Sequence, residues 1–120
     1  RYETRKIIND SEVKKFLEKK GFAILRLADY RFIDQIKLFS SAKYIVGLHG
    51  GGFANMIFCN QGTNLLELRT KKTGKIIENL AIKNNLNFNT IELDPQNTGA
   101  KDQQGHINVD LIDLEKKLIN

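Results

Sequence analysis

The stretch "NLLELRTKKTGKIIENLAIKNNLNFNTIEL", residues 64–93, decides the fold. Two short runs within it, 64–69 and 88–93, have the length and apolar content of buried strands. Between them, "GKIIENLAIKNN" (74–85) brings apolar residues back at helical intervals, so it reads as an amphipathic helix. Strand, helix and strand in that order describe a crossover that returns the chain to the same end of a sheet, which makes the two strands parallel.

Outward from this unit the alternation continues. Upstream, "KYIVGL" (43–48) reads as a strand, "FIDQIKLF" (32–39) as a helix and "FAILRL" (22–27) as a further strand. Asn9 followed by Glu12 forms the pattern of a capping box. Val13, Phe16 and Leu17 then share one helical face until Gly21 ends the turn. Downstream, Asp110 caps a last helix, "LIDLEKKLI", and "DPQNTGAKDQQGH" (94–106), which holds the only proline, reads as a loop. Strands that are apolar along most of their length belong to a sheet covered on both faces. The expected fold is therefore α/β, a three-layer Rossmann-like domain with a mostly parallel sheet, in which ligands bind at the carboxyl ends of the strands.

The 120 residues suffice for one domain, expected to span residues 1–120. The chain opens on Arg1 and meets a helix pattern by Asn9, which reads as a segment of a longer protein. Nineteen Lys and Arg against fourteen Asp and Glu give a net charge of +5. Most lysines fall in helix patterns where they face water, and no basic run is interleaved with aromatics, so nucleic acid is not an expected partner. The single cysteine, Cys59, excludes an internal disulfide. No apolar run approaches the length of a membrane span, and no signal peptide is visible.

Between the second expected strand and a short helix through Phe58 lies "VGLHGGGFANMIF" (46–58). A His-Gly-Gly-Gly stretch in this setting suits either the oxyanion hole of an α/β-hydrolase or a backbone cradle for phosphate. A hydrolase also needs a nucleophile, usually serine within Gly-x-Ser-x-Gly. Ser11, Ser40 and Ser41 are the only serines, and none has that context. The phosphate reading asks only for glycines that let the backbone approach a ligand and for the free amides that open a helix. His49 adds a hydrogen bond or partial charge.

Four elements in order strengthen that choice. Arg5, Ile7 and Asn9 fit an Arg-x-Ile-x-Asn-Glu pattern, with Asp10 in place of Glu, and Gln35 fits a Glu-Gln pair on a helix, with Asp34 for Glu. His49, Gly50, Gly52 and Asn55 fit His-Gly-Ala-Gly-Leu with a following Asn, where Gly51 and Phe53 replace Ala and Leu. Glu67 fits a strand ending in Glu. Together they resemble the C-terminal half of glycosyltransferase family 61, which includes bacterial capsular-polysaccharide transferases, plant xylosyltransferases and eukaryotic transferases of N-acetylglucosamine.

The resemblance implies the donor-binding half of an inverting, two-Rossmann-domain (GT-B) transferase. A nucleoside-diphosphate sugar, UDP-linked, would be the donor and a saccharide or other hydroxyl compound the acceptor. Arg5, His49, Gly50, Gly51, Gly52 and Asn55 would hold the donor diphosphate. Glu67 would either contact ribose or sugar hydroxyls or pair with Arg69 or a lysine, and Asn9 and Gln35 would support these residues from behind. No catalytic base is assigned, because it is expected on an N-terminal domain not included in these residues. No cofactor and no metal ion are expected, in keeping with the absence of an Asp-x-Asp pair. The Lys-, Asn- and Ile-rich composition resembles that of low-GC bacteria. It suggests capsular or surface polysaccharide synthesis in the cytoplasm, with peripheral association at the inner face of the membrane. A non-catalytic nucleotide- or carbohydrate-binding module is the alternative, and a hydrolase fragment the third reading.

Overall fold

A computed structural model describes residues 7–49, 51–71, 74–94 and 107–119. Helix α1 (Asp10–Lys19) is followed by an extended segment and a 3-10 turn at Leu27–Asp29, then by α2 (Phe32–Ser41) and strand β1 (Tyr44–Leu48). A 3-10 helix, Gly51–Phe58, leads to β2 (Asn64–Thr70). Then come α3 (Ile76–Lys83), β3 (Asn87–Leu93) and α4 (Leu111–Ile119). The strands form a parallel sheet in the order β1-β2-β3. This is an α/β fold, as the strand and helix patterns require.

Alternation along the strands sorts the core into two layers. On one face, Leu66, Leu68 and Ile91 pack with Val13 and Leu17 of α1, Leu114 of α4, and Ile107 and Val109. On the other, Leu65 packs with Phe53 and Met56 of the 3-10 helix and with Ile77 and Ala81 of α3. Being central, β2 is enclosed by strands at both edges and by both layers, and every residue from Leu65 to Thr70 is buried.

The boundaries of most elements follow local chemistry. Gly21 takes φ +95° just beyond α1, a conformation that favours glycine and ends the helix. Asp110 Oδ1 accepts the Ile112 N–H at 2.8 Å and so caps α4, as expected.

Two expectations fail. The run 22–27 forms no strand: Phe22 and Ile24 turn into the core while Leu25 stays 47% exposed. A groove lined by Phe22, Ile24, Val46 and Leu48 separates this segment from β1. An apolar run becomes a strand only where a neighbouring backbone lies within hydrogen-bonding distance. Asn9 forms no capping box either, because its side chain is engaged elsewhere: Oδ1 accepts the Val109 N–H at 2.8 Å and Nδ2 donates to the Val109 carbonyl at 2.7 Å. A distant partner has outcompeted the local one. The expected short helix through Phe58 is present, as a 3-10 helix over Gly51–Phe58. The expected loop 94–106 lies outside the described residues, apart from Asp94.

Gly47 sits on the face of β1 that the 3-10 helix covers. A Cβ added there would lie 2.9 Å from Phe53 Cζ, so the ring packs directly on the strand backbone. Gly47→Ala is expected to cost about 1–3 kcal/mol in urea denaturation, because the buried Phe53 ring must shift.

Candidate functional site

His49 follows the last residue of β1, and its backbone N–H donates to the Leu68 carbonyl at 2.8 Å, continuing the hydrogen-bonding of the sheet. Two residues beyond Gly47, it shares the face that carries Glu67 and Arg69 on β2. Register places Glu67 beside Gly47 on one side and Thr90 on the other. The missing side chain at Gly47 leaves the Phe53 ring as the cover.

His49 Nδ1 bonds Glu67 Oε2. The other carboxylate oxygen of Glu67 accepts from Arg69 Nη1 at 2.9 Å. Arg69 then reaches two further carboxylates. Its Nη2 lies 2.9 Å from Glu92 Oε2, and its Nε donates to that same oxygen at 3.1 Å. Nη2 also lies 3.3 Å from Glu78 Oε1 on α3. Glu67 has no exposed side-chain surface and Arg69 only 2%, whereas His49 keeps 14%.

Burial by itself disfavours the guanidinium charge. The Glu67 charge, with the hydrogen bonds that Arg69 donates to Glu92 and Glu78, outweighs that and raises the Arg69 pKa, so the residue stays cationic wherever the fold survives. A buried carboxylate of this kind is tolerated only with its partners in place.

A second set of contacts fixes the 3-10 helix. Asn55 Nδ2 donates to Gln35 Oε1 at 2.9 Å, and Gln35 Nε2 donates to the carbonyls of Leu27 and Tyr30 at 2.8 and 3.1 Å. Gln35 thus ties the turn before α2 to the helix that begins at Gly51. Two amides carry this link.

Cys59, at the far end of the same helix, is half-buried, and burial pushes its thiol pKa up. The folded state therefore holds its proton at a pH where the unfolded chain has begun to lose it, so this group favours unfolding as pH rises into the mildly alkaline range. Iodoacetamide labelling near neutral pH is expected to be several-fold slower in the folded protein than in urea.

Among the described residues, no three His, Cys, Asp or Glu side chains are grouped so as to hold a metal ion. No helix among them is long and apolar enough to cross a membrane.

The model of the family described as glycosyltransferase 61 matches residues 1–66. The chain belongs to glycosyltransferase family 61. Searches of curated proteins and of solved structures found no match. Family 61 membership supports glycosyltransferase activity in general, with a donor and an acceptor as substrates.

Of the residues that carry the family 61 pattern, the structure brings His49 and Glu67 into contact and joins Gln35 to Asn55. Gly51 and Gly52 open the 3-10 helix two and three residues after His49. Asn9 lies elsewhere, on the face of α1 and α4, fastening Val109. Arg5 and Gly50 fall outside the described residues. Of the two roles open to Glu67, pairing with Arg69 is the one observed.

Arg69 as a hub, with Glu78 and Glu92, is the feature a sequence reading passes over. Its signal was the Glu-Leu-Arg spacing, which puts two opposite charges on one face of a strand whose neighbours are leucines.

Proposed function

We propose that this chain is the donor-binding, C-terminal half of an inverting GT-B glycosyltransferase that uses a nucleoside-diphosphate sugar, UDP-linked. One observation carries the reading: His49, braced by Glu67 at the carboxyl end of β1, lies two residues before Gly51, where the 3-10 helix opens. The first N–H groups of a helix have no partner within it and favour an anion. An imidazole beside them adds a directed contact.

In this reading the acceptor oxygen bonds to the anomeric carbon as the bond from that carbon to the diphosphate oxygen breaks. The acceptor proton passes to a base on an N-terminal domain, and the negative charge gathers on the leaving diphosphate. The amides of the glycine loop, His49 and Arg5 meet that charge, as positioned donors do in transition-state stabilisation. Arg5 suits the role because a guanidinium offers a fork to phosphate oxygens. Asn55 and Gln35 serve by holding the helix in place. No metal ion takes part. A capsular or surface polysaccharide built at the cytoplasmic face of a bacterial membrane is the proposed product.

Uridine diphosphate at about 100-fold its Kd is expected to add about 2.7 kcal/mol to stability, a rise of several degrees in Tm. His49→Ala and Arg5→Ala should each remove most of that rise. No rise in the unsubstituted protein at millimolar ligand would contradict the proposal.

A further inference from the structure

Glu67 and Arg69 are enclosed too completely to meet a ligand, yet they stand directly behind the residue proposed to do so. Their geometry is over-determined in one direction. Arg69 gives Nη1 to Glu67, Nε and Nη2 to Glu92, and Nη2 again to Glu78. Partners from β2, β3 and α3 thus fix the plane of one guanidinium. That plane fixes Glu67 Oε1, and a carboxylate with one oxygen fixed cannot turn about its terminal torsion, which is otherwise soft. Glu67 Oε2 then meets His49 Nδ1 along one line.

We infer that Arg69 is a positioning residue for diphosphate binding. It holds Glu67, and Glu67 holds the imidazole plane of His49 with Nδ1 committed to the carboxylate, so that the phosphate meets the Nε2 edge. Partners behind a functional histidine act in this way wherever one ring nitrogen must be presented and the other occupied. The inference rests on the reading of His49 as a phosphate contact. A buried ion pair that merely stabilised the fold would lower Tm when altered and leave the affinity of the folded protein untouched.

Calorimetric titration of the full-length protein with uridine diphosphate separates the two. His49→Ala is expected to raise the Kd about tenfold, as for loss of one hydrogen bond to a charged group. Glu67→Gln, which keeps shape and removes charge, should raise it to a similar extent. The double variant should bind no more weakly than His49→Ala alone, because both changes remove the same contact. Arg69→Lys should weaken binding several-fold and shift the ring nitrogen resonances of His49, although Arg69 touches no ring atom. Should Arg69→Lys fail to fold, Glu92→Gln loosens the same fork from a half-exposed position and should move the same resonances.

Weak binding by His49→Ala beside wild-type binding by Glu67→Gln would overturn the inference and leave the proposed function standing. So would additive losses in the double variant, or His49 resonances unmoved by both the Arg69 and Glu92 changes. Wild-type binding by His49→Ala would overturn the proposed function itself.

Discussion

Arg69→Met is expected to destabilise the protein by about 3–5 kcal/mol, the range for breaking a buried ion pair from one side. Methionine fills much of the space of the arginine stem but offers nothing to Glu67, whose side chain is fully enclosed. Glu78 and Glu92, 30% and 41% exposed, can turn to water, so the loss concentrates on one carboxylate. The origin of the effect can be isolated. Glu67→Leu added to Arg69→Met removes the stranded charge and should recover a large part of the stability, because apolar replacements of whole buried pairs are often neutral. Urea denaturation of both variants reads this directly. A loss as large in the double variant as in Arg69→Met would mean that the arginine acts through packing rather than charge.

Asn9→Ala comes second, at about 2–4 kcal/mol. The side chain satisfies both the N–H and the carbonyl of Val109, a residue only 1% exposed, and each group left without a partner costs on the order of 1–3 kcal/mol. The contact spans 100 positions and lies beside the Ile7–Ile107 bridge, where the Ile8 N–H also donates to the Ile107 carbonyl at 2.7 Å. It therefore fastens the segment before α1 to the segment before α4. Asn9→Asp should be nearly as damaging, since a carboxylate can accept from the Val109 N–H but opposes its carbonyl. Thermal melts give the size of both losses. Hydrogen exchange at the Val109 amide, expected to accelerate in both variants, shows where they arise.

These residues also mark how far the sequence could be read. The crossover unit 64–93 and β1 were legible because apolar content and helical spacing agree with tertiary burial there. The run 22–27 was not, since its composition says only that it is buried, and a strand depends on a partner's backbone that no local pattern reports. Asn9 misled in a related way: a capping residue and an anchor for a distant strand-like segment carry the same side chain. At the site, the glycine loop and His49 announced themselves by type and order. Glu67 and Arg69 were visible as an alternating charge pair, but their link to His49 needed the register that sets β2 beside β1. The contributions of Glu78 and Glu92 depended on how α3 and β3 pack, which lies beyond any short-range signal.

Central to the proposed function is that the loop from His49 into the 3-10 helix grips a diphosphate. A crystal structure of the full-length protein with bound uridine diphosphate tests it most directly. Phosphate oxygens are expected within hydrogen-bonding distance of His49 Nε2 and of the amides at Gly51 to Phe53, with Glu67 still on Nδ1. A diphosphate seated away from this loop, for instance in the groove between Phe22 and β1, would contradict it.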